Sequence, residues 1–470
     1  MYVFLFIIIT TTSYYYFFWC VLLLGNLAFG GFLPSSWQRF FGKNLYGHRN
    51  ALIVDTNIMS LPNIVPLSCV CQNYAWGKVG NDSAVAKLAA LNKDIDVDQE
   101  QPYAEYWFGT HKKGPAKIKS NGEELSKFVG ELPYLLKVLS IAKCLSIQAH
   151  PNKALAEQLH GERPEVYKDP NHKPEMTIAI TPFEAMCQFR DVKEIVKFVD
   201  TVPEFNAVIG DAGVAASAEL KKGTLTEKET KECLKSLFTS YSKADANVVK
   251  DLVDKLVSRI KTEDKITEAR DTENVAVRLA AQFPGDIGVF APFLLNVINL
   301  KPGEAVFLAA NEPHAYISGD CVEVMACSDN VVRMGCTPKL RDTEVLVDML
   351  TYKNGLPKIM EGKMLDELTR LYIPWDDAVT EFQIEYTDFS LSQSKGVEYT
   401  LRPFKSSSLI LVLQGNGTCV DSNGDVVKLG KNGHGCVFYL NDPTTGLAVV
   451  EDVNSDDRLI LVRACERREN

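Results

Sequence analysis

The feature that most constrains this chain is a double change in the period of its apolar residues. Between residues 65 and 190 short apolar runs alternate with Gly, Pro and Asn turns, and "MTIAITPFEAMCQFR" reads as strand, turn, strand. From 191 to 282 the period becomes three-and-four. Val192, Ile195, Val196 and Val199 share one helical face, as do Cys233, Leu234, Leu237, Phe238 and Tyr241, and Val249, Leu252, Val253, Leu256 and Ile260. Thr226 and Glu229 stand at capping-box spacing ahead of the second set. From Gly288 the strand pattern returns in "LLNVINLKPGEAVFLAANEPHAYISGDCVEVMACS". "KLRDTEVLVDML" reads as a helix and then a strand or linker. After about Ile384 a second β-rich block is punctuated by Gly and Asn-Gly turns, as in sandwiches and barrels. The expectation is a mainly β protein with a helical insert.

At 470 residues the chain is too long for one ordinary core. Its net charge of −10 argues against a binder of nucleic-acid backbone, which needs clustered cations. The twelve cysteines include no Cys-x-x-Cys pair, and a chain of this length needs no staples, so they are read as reduced thiols of a cytoplasmic protein. Cys69 and Cys71 are read as small residues of a strand, His434 as a turn histidine, and the charges of 191–282 as a solvated face.

The first 38 residues carry no charged side chain, and Tyr14 to Leu33 is long enough to span a bilayer. The segment lacks the basic start of a signal peptide. Were it inserted, Arg39, Lys43 and Arg49 would keep the remainder cytosolic. The expectation is that residues 1–58 are not part of the working protein, that it begins at or near Met59, and that it has no membrane partner.

Three segments carry chemistry. In "LSIQAHPNK" the apolar Leu145, Ile147 and Ala149 alternate with Ser146, Gln148 and His150, so a strand there turns a hydroxyl, an amide and an imidazole to one side. "NHKPEM" places Lys173 and Glu175 two apart, and "NEPHAYISG" carries Glu312, His314 and Tyr316. Taken singly, each has a plain structural reading, as a core histidine or a turn. Together they supply two imidazoles, a carboxylate and an amide oxygen, a set able to hold a divalent ion.

"QNYAWGK", "YAEYWFGTH", "LSIQAHPNK", "HKPEM", "PHAY" and "CSDNVVRMGCTPK" occur in this order, and from about Val65 to the C-terminus the chain closely resembles the type I phosphomannose isomerases. The resemblance implies two cupin-like β barrels plus an α-helical domain: a catalytic barrel from 65–190 and 283–345, a helical domain at 191–282, a C-terminal barrel at 346–470, and an N-terminal extension at 1–64. It implies one Zn2+ per chain on Gln148, His150, Glu175 and His314. Such a set has one anionic ligand, which leaves the ion a strong Lewis acid. It implies interconversion of mannose 6-phosphate and fructose 6-phosphate, feeding GDP-mannose synthesis, in a monomer.

By the same match Arg333 is the active-site arginine and Lys339 a basic residue facing the same cavity, and Ser146 is placed to donate to the phosphate. His172, Lys173 and Glu323 are candidates for the proton relay. An extended 173–177 would give Lys173, and not His172, the face of Glu175, so Lys173 is favoured and Glu323 comes second. A plain salt bridge from Lys173 to Glu175 is the competing reading. Trp76 and Trp107 are expected in the core. A non-catalytic sugar-binding protein, an isomerase of another sugar phosphate, and a membrane-anchored interaction protein are the alternatives.

Overall fold

The structure, a computed structural model, describes residues 61–262, 269–404, 406–431, 433–441 and 446–467. The apolar start and the expectation for residues 1–58 lie outside the described residues. No helix among the described residues is long and apolar enough to cross a membrane.

An eleven-stranded sheet is organised around one long strand, His314–Ala326. Its C-terminal half lies between Tyr134–Ile141 and Glu175–Ala179, both buried along their whole length. Its N-terminal part pairs instead with Phe183–Phe189 and meets Ile147–Ala149 at His314. The change of partners falls at Gly319, whose φ is +117°. A Cβ there would stand 2.6 Å from the Pro182 carbonyl oxygen and 2.8 Å from Phe183 Cα. Only glycine adopts that backbone and clears that contact.

The helical block is inserted between two paired strands. Phe183–Phe189 and Leu295–Leu300 are antiparallel neighbours, with Phe183 opposite Leu300. The helices Val192–Thr201, Pro203–Lys221, Glu227–Ser242, Ala246–Thr262 and Arg270–Gln282 fill the gap between them in sequence. The apolar faces read from the spacing are buried, except that Val192 and Cys233 are only partly covered at the rim. The Thr226–Glu229 capping box is formed.

A second sheet of eight strands takes Lys363–Met364, Thr369–Tyr372, Gln383–Asp388, Ser408–Gln414, Val437–Leu440 and Ile460–Cys465 from the C-terminal part. It also takes Ile64–Ser68, with Ile64 opposite Leu440, and Lys117–Ile118. The first described strand therefore closes against nearly the last, a pairing that local pattern does not reveal. Neither ladder closes on itself among the described residues; the eight-stranded one ends on two-residue strands, too short to zip together. The expected barrels are thus observed as large sheets with a helical block, a mixed architecture. The helix in "KLRDTEVLVDML" is Thr343–Met349. His434 lies in a turn, and the eleven described cysteines are all free.

Candidate metal centre and active-site cavity

His150 and His314 are oriented by backbone. His150 Nδ1 donates to the Asn330 carbonyl at 2.7 Å, and His314 Nδ1 faces the Glu312 carbonyl at 3.2 Å. A carbonyl only accepts, so each Nδ1 carries the proton and each Nε2 presents a lone pair. Both Nε2 atoms lie 3.3 Å from Glu175 Oε2. All three side chains are at most 2 % exposed. His150 Nε2 and Glu175 Oε2 have no hydrogen-bond partner.

Three buried ligand atoms thus lie within 4.8 Å of one another, two of them without a hydrogen-bond partner. Buried acceptors are normally satisfied, and leaving them bare costs free energy. A cation resolves the conflict, so the residues fit a metal. Burial, and next the Lys173 ammonium, hold the His150 pKa down at about 4, leaving the imidazole neutral as a ligand must be. Burial opposes ionisation of Glu175, but Lys173 and His150 outweigh it and keep the carboxyl well below its usual range.

Gln148 arrives beside this group because its strand pairs with His314 on one side and with Arg333 on the other. Its Nε2 is 3.5 Å from His314 Nε2, and its Oε1 accepts from Ser146 Oγ at 3.0 Å. The predicted alternation holds from 146 to 149, with Ile147 and Ala149 buried and Ser146 and Gln148 turned to a cavity of about 650 Å³, but Leu145 also lines that cavity and His150 is buried.

The cavity gathers most of the remaining predicted residues. Lys173 lines it, with Nζ 2.5 Å from Glu175 Oε1. Glu323 lines it from the long strand, and burial pushes its pKa up against the pull of Lys137. Arg333 lines it half-buried, and its guanidinium makes no hydrogen bond or ion pair among the described residues. Its removal from water pulls its pKa down. Lys339 stands exposed at the rim.

His172 is not brought to the cavity. Its Nε2 pairs with Glu381 Oε1 at 2.5 Å, while Lys173 beside it lines the cavity. Trp107, 7 % exposed, lies in the core as expected and Trp76 packs partly buried against it, while both also border the cavity. Trp107 Nε1 donates to Glu105 at 2.6 Å.

Sequence reasoning missed Lys137 and Lys143. Lys137 is 7 % exposed and pairs with Glu323 at 3.1 Å and Glu105 at 3.4 Å. Its charge survives burial because those two carboxylates outweigh desolvation and raise its pKa. The signal was present, for a lysine inside "YLLKVLSI" is a polar residue in an otherwise apolar strand. Lys143 lines the cavity with its Nζ 4.4 Å from the centre of the Phe283 ring and no carboxylate partner among the described residues.

Fold and site together define a β-rich enzyme whose cavity has a floor able to hold a cation and a wall of uncompensated cations able to hold an anion. Comparison with known proteins narrows the class. Residues 64–192 match the model of the phosphomannose isomerase type I catalytic domain, and residues 209–295 that of its helical insertion domain. The chain is 39 % identical to the mannose-6-phosphate isomerase of Bos taurus, over 87 % of this chain and 99 % of that one. It is 41 % identical to mannose-6-phosphate isomerase 2 of Arabidopsis thaliana, over 75 % and 83 %. A crystal structure of a mannose 6-phosphate isomerase bound with zinc and yttrium superposes with a TM-score of 0.69 at 28 % identity, covering 87 % of this chain and all of the other. The apo form from Salmonella typhimurium gives 0.68 at the same identity and coverage. The chain belongs to the type I phosphomannose isomerase family and is an isomerase of the aldose–ketose class.

Proposed function

We propose that this chain interconverts mannose 6-phosphate and fructose 6-phosphate in the cavity described above. The observation that carries the reading is the buried His150, Glu175 and His314 group, in which His150 Nε2 and Glu175 Oε2 lack hydrogen-bond partners, next to a cavity that Glu175 shares with the unpartnered guanidinium of Arg333.

His150, Glu175 and His314 would hold one Zn2+. Gln148 joins them by a half-turn of its amide, which presents Oε1 to the ion and lets Nε2 donate to Ser146 instead. When bound, such an ion acts as a Lewis acid that stabilises negative charge developing on the sugar oxygens. Arg333, Lys143, Lys339 and the Ser146 hydroxyl supply fixed and mobile donors for a phosphate dianion. Isomerisation moves one proton between C1 and C2 and another between their oxygens, so it needs a base for the carbon proton and a donor for the oxygens. Glu323, a buried carboxylate of raised basicity, suits acceptance. The Lys173 ammonium suits donation, and its ion pair with Glu175 anchors the chain at that point. His172 is left as a structural contact to Glu381.

The domain reading goes with this function. The large sheet at 65–190 and 283–345 would form a cupin-like barrel around the cavity. The block at 191–282 would be a helical domain, and 346–470 a second cupin-like barrel. A monomer in the cytoplasm, supplying GDP-mannose synthesis, accords with a small phosphorylated substrate and free thiols.

The test is conversion of mannose 6-phosphate by the purified protein before and after chelation. Activity should be lost and should return with Zn2+. His314→Ala should lower bound metal and turnover together. Full metal content in that variant would remove His314 from the ligand set.

A further inference from the structure

The metal-facing and anion-facing halves of the cavity come from separate stretches of chain, and one carboxylate outside the cavity joins them. Asp169 precedes Lys173 and Glu175 by a few residues. Its Oδ1 accepts from Ser328 Oγ at 2.8 Å, the Asn171 backbone N–H at 3.0 Å and Asn330 Nδ2 at 3.3 Å. Its Oδ2 accepts the Asp329 backbone N–H at 2.7 Å.

Asn330, 1 % exposed, completes the knot. Its Nδ2 donates to the Asp169 carbonyl at 2.6 Å and to the Asn171 carbonyl at 3.0 Å, while its Oδ1 is buried without a partner. The amide is held by what its nitrogen does, at the expense of its oxygen. The Asn330 backbone carbonyl is the group that orients His150, and Arg333 follows three residues later. On the other side Asn171 Nδ2 donates to the Cys327 carbonyl at 3.0 Å.

We propose that Asp169 is a positioning residue for this isomerase, setting the 328–330 turn and through it the His150 imidazole and the place of Arg333. The inference rests on the metal reading given above. A carboxylate is required because both oxygens face donors. Asn at 169 is nearly isosteric, yet whichever way it turns, an NH2 meets either the Asp329 N–H or the Ser328 and Asn171 donors. The turn must then shift, and the carbonyl that fixes His150 shifts with it. Groups that orient ligand histidines typically govern metal affinity by about 10- to 100-fold.

The experiment is Zn2+ titration of the full metal-free protein in competition with a chromophoric chelator, at a temperature well below melting. Asp169→Asn should bind Zn2+ about 10- to 100-fold more weakly than the parent. Ser328→Ala, which removes the hydroxyl that reaches Asp169 Oδ1 and the Asn171 carbonyl and accepts from the Asn330 N–H at 3.2 Å but leaves the Asp169 carboxylate in place, should weaken binding in the same direction. A merely structural role would lower the melting temperature and leave the affinity of the folded protein alone. Asp169→Asn within twofold of a parent that binds one ion would overturn the role of Asp169 while leaving the metal reading intact. Should Asp169→Asn fail to fold, Ser328→Ala at parental affinity would overturn it equally. A parent that binds no ion would remove the inference together with the reading beneath it.

Discussion

Replacing Lys137 with methionine should produce a stability defect that disappears in acid. The substitution keeps the volume and removes the ammonium hydrogen-bonded to Glu323, a carboxyl 3 % exposed. Breaking a buried pair by removing one partner costs about 3–5 kcal/mol when the other charge is left bare. Here a cheaper route is open, because Glu323 can take up a proton. Protonating it at pH 7, starting from the ordinary carboxyl value of 4.5, costs about 1.36 kcal/mol for each of 2.5 pH units, or about 3.4 kcal/mol. At pH 5 the same step costs about 0.7 kcal/mol. Glu105 contributes less to the defect, since it keeps the indole N–H of Trp107.

In the variant the folded-state pKa of Glu323 lies further above its unfolded value. The folded protein then binds the extra proton, and stability falls as pH rises. Urea titrations of the chelator-treated protein, followed by tryptophan fluorescence, should show a deficit of about 3 kcal/mol at pH 7 and under about 1 kcal/mol at pH 5. The double variant Lys137→Met with Glu323→Gln should recover most of the loss at pH 7. A deficit equal at both pH values, or larger in acid, would refute the reasoning.

Arg333→Ala should retain the bound metal and lose about 10²- to 10³-fold in kcat, as expected for one charge-stabilising donor; turnover within twofold of the parent would take Arg333 out of the reaction. Lys143→Met should raise KM for the phosphorylated sugar severalfold with little change in kcat, the pattern of a group that binds ground and transition states alike. Equal KM values would confine Lys143 to its contact with Phe283. Gly319→Ala should destabilise the fold by at least about 2 kcal/mol, because the left-handed φ and the Pro182 contact are both penalised, and calorimetry would read the shift.

Much of this protein is written in local pattern. The period of the apolar residues placed the helical block, because a 3.6-residue period can bury only one face of a helix. The alternation around 145–150 showed which side of that strand would be polar, because successive side chains on a strand must point to opposite faces. What lay beyond local pattern were the pairings between distant segments. Ile64–Ser68 enters the sheet of Val437–Leu440, and no short window contains both strands. His172 and Lys173 are adjacent in sequence, yet Glu381 draws one outward while Glu175 holds the other at the cavity. Lys137 is tolerable in a buried strand only because Glu105 and Glu323 arrive from two other strands. Residue type and spacing determined which groups could ligate, ionise or cap. Tertiary structure decided which of them are left without a partner, because a bare lone pair or an unpaired guanidinium is a property of everything packed around it.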